Sequence, residues 1–376
     1  MTTARVPLED AREAIATIRA ARRSEDLFPE IGRPEDISAC QRTFMDLVRL
    51  VHPDVVPASV RAQAVLAHSK LSALYAAHTQ SATALEQHQG HLITAYASEE
   101  RAYIMRHTIG ASCSRQDSIL SEAENSAGDP IILALHESIT NSTTGVGHEA
   151  KLLTALGAAL APQAEAFFPR LLESFHIEID GEDRTINTLI GYEGTYSLED
   201  LRLHWFRDGL DLRAAAWIWR RLLFALGHAH NAGLVHGFVL PEAVRILPAE
   251  HGLVLTDWCH GSAQGLPAPA MPPRSSLARH SDFYPSGLFS GEQPTSGSDI
   301  YMATKMMAWL IKPEDPARPE VAAFVRGCTL EASHQQSQDA FALLAEFDAL
   351  LEDLFGPRKF TPLVMPQEAR PFASES

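Results

Sequence analysis

What the chain has little of narrows it first. Its 376 residues hold four cysteines, Cys40, Cys113, Cys259 and Cys328, whose scattered spacing fits neither a disulfide framework nor a cysteine-built zinc site. Thiols so placed suit a reducing cytoplasm. Positive charge is in deficit: 31 Lys and Arg stand against 47 Asp and Glu, a formal net charge of −16. The average surface field therefore repels phosphate backbones, and direct nucleic-acid binding is not expected. No uninterrupted apolar run approaches the ~20 residues that cross a bilayer. Met1 to Arg23 also lacks the basic start and apolar block of a secretory signal. The expectation is a soluble, cytoplasmic protein with no membrane contact.

What is present is ordinary globular material, 45% apolar and 21% charged. The length suits a small domain plus a large one, at roughly 100–200 residues per domain. The first 80 residues read as helical, interrupted by turn residues at Phe28-Pro29-Glu30-Ile31-Gly32-Arg33-Pro34 and again from His52-Pro53-Asp54 to Pro57. Phe44, Leu47, Val48 and Val51 recur at helical spacing before the second turn; Val60, Ala64, Ala67, Leu71, Leu74 and Ala77 do so after it. A polar stretch from Thr79 to Gly90 reads as a linker. Short β-like segments follow at Tyr103 to Ile109, Ser118 to Ala123 and Ile131 to Leu135, then a helix from Gly147 to Leu160. Beyond them, strand-like Ser174 to Ile179 and Thr188 to Tyr192 lead into long apolar helices such as Leu212 to Ala232.

The helix Cys40 to Val51, the loop His52-Pro53-Asp54 and the helix Val60 to His78, with Lys70-Leu71-Ser72-Ala73-Leu74-Tyr75, resemble the J-domain of DnaJ-type co-chaperones over residues 20–80. Ser24-Glu25-Asp26-Leu27-Phe28 stands where that family has its first short helix. The resemblance implies that the His-Pro-Asp loop docks a DnaK-type heat-shock chaperone, steered by basic residues of the preceding helix. Here those are Arg42 and Arg49, alongside Asp46, a sparse basic face. Physically, Pro53 stiffens the loop and Asp54 offers an acceptor-only carboxylate to a partner arginine. A plain turn is the alternative, with the helical fold kept for packing.

A longer series runs Leu226-Gly227-His228-Ala229-His230-Asn231-Ala232-Gly233-Leu234-Val235-His236-Gly237, Pro241-Glu242, Val244-Arg245-Ile246 and Leu253-Val254-Leu255-Thr256-Asp257-Trp258. With Phe283-Tyr284-Pro285, Ser298-Asp299-Ile300-Tyr301-Met302-Ala303 and, upstream, His148-Glu149-Ala150-Lys151-Leu152-Leu153, it resembles the protein-kinase fold over about residues 95–355. The resemblance implies a helix bearing the ion-pair Glu149, a catalytic loop at His236 and a metal-binding Asp257.

Phosphoryl transfer requires phosphate positioning, metal neutralisation and a group that orients the attacking hydroxyl. Against the pattern HRDLKPEN, Gly237 stands for Arg, Phe238 for the base Asp, Leu240 for Lys and Ala243 for the metal-binding Asn. The third-strand lysine falls at Ala134, and no lysine occurs between Leu71 and Ala150. Near Ile109-Gly110-Ala111-Ser112 one glycine remains of the phosphate loop. Glu149 thus lacks its usual partner, leaving a solvated position or a contact with Arg106 or Arg115. His236 with Leu153 and Trp258 suits a buried column. His228, His230 and His236 are close in sequence, but the kinase pattern already accounts for two of them, so zinc is not read there. Ser286-Gly287 replaces the usual Glu after Pro285, and Ser337-Gln338-Asp339-Ala340 replaces its arginine partner.

The fold expected is mainly α with α+β: a J-domain-like helical unit at 1–80, a linker at 81–92, a small β-rich lobe at 93–196, a larger helical lobe at 197–365 and a disordered tail at 366–376. The function expected is a non-catalytic pseudokinase scaffold or adaptor with a J-like co-chaperone unit, binding protein partners and a DnaK-type chaperone. No cofactor is expected, and Asp257 holds metal only in an active cleft. The alternative is an atypical enzyme transferring a phosphoryl or nucleotidyl group with Asp257 and a relocated base such as Lys151, Arg106 or Arg115.

Overall fold

Helix α1 (Leu8–Ala20) starts behind Pro7, whose fixed φ suits a helix entry, and carries Glu9 and Asp10 in its first turn, where the exposed N–H groups favour acids. Helices α2 (Asp36–Val51) and α3 (Arg61–Glu86) lie on either side of His52 and Pro53. The positions picked out by helical spacing form the core: Val60, Ala64, Ala67, Leu71, Leu74 and Ala77 are all buried, with Phe44 stacked on Tyr75 at 4.2 Å. In place of a first short helix, Ser24–Asp26 makes one 3₁₀ turn, closed by the Arg22 and Arg23 N–H groups donating to Asp26 Oδ2 at 2.6 and 2.9 Å. The stretch read as a linker from Thr79 is helical as far as Glu86. Its Ala, Leu and Glu are strong helix formers, and they outweigh the turn-like polarity of Ser and Thr there.

This computed structural model describes residues 6–29, 36–53, 55–86, 95–99, 101–111, 118–125, 130–136, 146–179, 182–190, 194–263, 281–315, 318–329, 339–361 and 363–366. Asp54, Arg115, the Ser112 end of the glycine stretch, Ser337-Gln338 and the tail Gln367 to Ser376 lie outside the described residues, as does the side chain of Arg106.

Strands β1 (Ala95–Ala97), β2 (Ala102–Ala111), β3 (Ser118–Asn125), β4 (Pro130–His136), β5 (Arg170–Ile179) and β6 (Glu182–Ile190) form a curled antiparallel six-stranded sheet in the order β1-β2-β3-β4-β6-β5. Helix α4 (Val146–Ala159) lies in the chain between β4 and β5. A three-stranded sheet follows, β7 (Tyr196–Ser197), β9 (Val244–Leu247) and β10 (Gly252–Leu255), in the order β10-β9-β7. A small ladder pairs β8 (Leu234–Val235) with β11 (Ser262–Ala263). Among the described residues the longer helices that follow are α5 (Leu212–Asn231), α6 (Ser296–Leu310), α7 (Arg318–Cys328) and α8 (Ala340–Phe355).

The chain divides into two compact units, one of residues 1–108, 121–133 and 175–180, the other of residues 109–120, 134–174 and 181–376. The core of the first joins α1, α2 and α3 to Ala97 and Ala102. At its centre Lys70, 0% exposed, donates from Nζ to the carbonyl of Arg19 at 2.9 Å and to that of Ser98. In the second unit α5 packs on α8, where a Cβ at Gly227 would meet the Phe341 ring at 2.8 Å. Arg220 and Asp348 pair across the same seam at 2.8 Å.

Candidate functional site

The second unit brings Glu149 to the Asp257 turn and Asp299 to the His236 loop. Glu149 is 3% exposed on the first turn of α4, so it is not on a solvated face. Its Oε2 accepts from Asn187 Nδ2 of β6 at 2.9 Å and its Oε1 accepts from the Trp258 N–H at 3.2 Å. Burial, reinforced by the nearby charge of Asp257, pushes its pKa up to about 7, while the two hydrogen bonds hold it down. Ala134, in β4, is buried at the expected lysine position.

Asp257 follows β10 with a left-handed backbone, φ 61°, a conformation Asp tolerates better than most residues. The turn Trp258–His260 then carries Trp258 inward. Its ring meets His236 at 4.7 Å and Phe168 at 5.8 Å, and its Nε1–H donates to Leu255 O at 2.9 Å. His236, Trp258 and Leu153 are all buried. His236 Nδ1 accepts from the Phe238 N–H at 3.2 Å, so Nε2 carries the proton and donates to Thr256 O at 2.8 Å. Burial lowers its pKa, and the ring stays neutral.

The loop after His236 is closed by apolar rings. Phe238 is 1% exposed and packs on His260 at 4.9 Å and on Tyr284 at 5.6 Å. Leu240 and Ala243 are buried as well. Gly237 has φ +77°, and a Cβ there would lie 2.7 Å from the His260 carbonyl. No arginine fits that position without moving the backbone. Two residues beyond Ala243, Arg245 is 5% exposed and its Nε donates to Thr195 Oγ1 at 3.0 Å. The three histidines have separate duties: His228 packs on Phe224 and Phe341, His230 Nε2 meets Asp299 Oδ2 at 3.0 Å, and His236 is spoken for.

Magnesium with a nucleotide does not fit this set. Ala243 supplies no ligand, Phe238 can neither accept a proton nor orient a hydroxyl, and a thiol, Cys259, stands beside Asp257 where a hard ion wants oxygen.

In the first unit His52 and Pro53 are half-buried. The His52 ring meets His68 of α3 edge-on at 5.4 Å, and Arg61 Nε donates to Pro53 O at 3.2 Å. Arg42 and Arg49 are exposed on α2, with Arg49 paired to Asp46 at 3.2 Å.

Spacing alone missed Asn187, Cys259, His260, Tyr284 and the Arg245–Thr195 bond. Cys259 had one signal, its position two residues after Asp257. The others depend on which strands and turns become neighbours. No known protein family matches the chain, and no curated protein is similar to it. Among the described residues no helix is long and apolar enough to cross a membrane.

Proposed function

We propose that the chain is a non-catalytic adaptor: a pseudokinase of protein-kinase-like fold at residues 93–365, preceded at 1–80 by a J-like unit that engages protein partners, a DnaK-type heat-shock chaperone among them. The kinase-like half of this reading draws on the antiparallel sheet β2-β3-β4-β6-β5 with α4 inserted in the chain between β4 and β5, which suits the small β-rich lobe that the resemblance implies. It draws equally on Glu149 turned toward the Asp257 turn and on Asp299 holding the His236 loop. The observation that carries the non-catalytic half is Phe238. Its ring stands where the resemblance implies a catalytic base and is packed against His260 and Tyr284, so the residue is built into the core.

The test is nucleotide binding by calorimetry and thermal shift, with ATP and ADP in magnesium or manganese, on wild type and Asp257→Ala. Neither protein should bind. Metal-dependent binding lost in Asp257→Ala would overturn the reading in favour of the transferase alternative. That alternative also needs a relocated basic group, and of Lys151, Arg106 and Arg115 only the Lys151 side chain is described, exposed on α4. For the J-like half, stimulation of a DnaK-type ATPase by wild type and its loss in His52→Gln is expected; identical behaviour of the two proteins removes the chaperone role.

A further inference from the structure

Glu149 of α4 and Asp257 and Cys259 of the turn after β10 present carboxylate oxygens and a thiol sulfur within 4.8 Å of one another. Each residue is more than nine-tenths buried, at 3%, 8% and 1% exposure. The framework around them is held from several directions. Asn187 and the Trp258 N–H fix the two oxygens of Glu149, and Trp258 is seated between His236 and Phe168. A carboxylate oxygen has two lone pairs, so neither hydrogen bond uses up the capacity of Glu149 to bind a metal. Two carboxylates at this separation in a medium of low dielectric repel one another, and a bound dication would relieve both.

The donor set disagrees with the ion that the kinase resemblance implies. Magnesium takes about six oxygens and leaves thiolate aside, whereas one sulfur and two oxygens suit Zn²⁺, which binds Cys, His, Asp and Glu at about 2.0–2.3 Å. We propose that Glu149, Asp257 and Cys259 form a site for a borderline divalent ion, Zn²⁺ by preference, with water in the fourth position. Loading would bring the three donor atoms to the ~2.0–2.3 Å from the ion that zinc bonds require. As the Zn–S bond forms, the Cys259 thiol proton leaves to solvent. The ion joins α4 to the turn after β10 and so acts on the rigidity of the unit. This assignment rests on the donor set and does not depend on a kinase ancestry.

The test uses the full chain, stripped with a chelator and titrated with Zn²⁺ or Co²⁺ alone, without nucleotide. The expected result is one ion per chain by native mass spectrometry, retained against a large excess of Mg²⁺. A thiolate-to-cobalt charge-transfer absorption and a Zn²⁺-dependent rise in Tm of several degrees should accompany it. Cys259→Ala should abolish the absorption while Cys328→Ala keeps it. Asp257→Asn and Glu149→Gln should each weaken Zn²⁺ binding by roughly tenfold or more. Lack of the absorption in wild type overturns the proposal, as does its persistence in Cys259→Ala or an unchanged Zn²⁺ affinity in both carboxamide variants. The absorption is read on wild type, so a variant that fails to fold cannot mask the answer. Nucleotide plays no part, so the outcome is separate from that of the adaptor reading.

Discussion

Asp299 holds His236 by its main chain: Oδ2 accepts the His236 N–H at 2.8 Å, while Oδ1 accepts the adjacent Gly237 N–H, also at 2.8 Å. With His230 Nε2 at 3.0 Å from Oδ2, one carboxylate at 0% exposure serves three partners. The loop carrying Phe238 therefore hangs from the first turn of α6, whose start is fixed by a Thr295–Ser298 capping box. Asp299→Asn turns one acceptor into a donor that faces a donor. Leaving a buried N–H unpaired costs about 1–3 kcal/mol. Urea unfolding should show a lower midpoint at unchanged slope. An unchanged midpoint would mean that the loop is held by its apolar contacts alone.

The neutral ring of His236 gives the stability a pH dependence of known sign. Burial holds its folded pKa below the ordinary 6.5, so in the window below 6.5 the unfolded chain binds the proton and the folded chain resists it. The stability from this group is present above 6.5 and is lost as pH falls through that value toward the lowered folded pKa. His68 and His251 are shifted the same way, each chiefly by burial, so wild type alone cannot assign the effect. The comparison is Tm against pH for wild type and His236→Gln. A shallower slope in the variant is expected, and equal slopes would place the titration on the other histidines.

Changing the His236 loop to the pattern that the proposed kinase likeness implies should damage the fold without creating activity. Gly237→Arg asks a side chain to enter a left-handed position whose Cβ would lie 2.7 Å from the His260 carbonyl. Phe238→Asp places a carboxylate among the His260 and Tyr284 rings. The second change loses an aromatic core residue, about 3–5 kcal/mol for truncation alone, and adds an unpaired buried charge. The double variant should unfold at much lower denaturant, and radiolabel transfer from ATP should stay at background. Transfer above background in a folded double variant would show that the cleft needs only its base to work.

The helical parts were legible because period and burial agree. Val60, Ala64, Ala67, Leu71, Leu74 and Ala77 mark one stripe of α3, and all six are buried. The segments around Glu149, His236, Asp257 and Asp299 were legible for a different reason, their order and spacing along the chain. Glu149 could be placed on its helix but not given a partner, since Asn187 lies 38 residues away on a strand whose register no local pattern specifies. Phe238 read as the loss of a base. That it is the middle of a ring cluster depends on His260 and Tyr284, which only the folded chain brings to it. Lys70 was invisible for the opposite reason, because a lysine in an amphipathic helix normally marks the wet side.

That lysine gives the most direct test of how the first unit coheres. Lys70 Nζ is fully buried and donates to Arg19 O, at the end of α1, and to Ser98 O, just after β1, so one ammonium group ties three segments. Lys70→Met keeps most of the volume but leaves both carbonyls without that donor, a loss of about 1–3 kcal/mol for each. Against this stands relief from desolvating the ammonium, which in other buried ion sites has equalled or exceeded the attraction. Two carbonyls at the ends of α1 and β1 lose a donor while one ammonium is desolvated, so the loss should prevail. Lys70→Met is expected to lower the denaturation midpoint and to speed amide exchange at Ala97 and Ala102, while α5 and α6 keep wild-type protection. If Lys70→Met were as stable as wild type, burial of the charge would have cancelled its bonds, and the cohesion of this unit would rest on its apolar core alone.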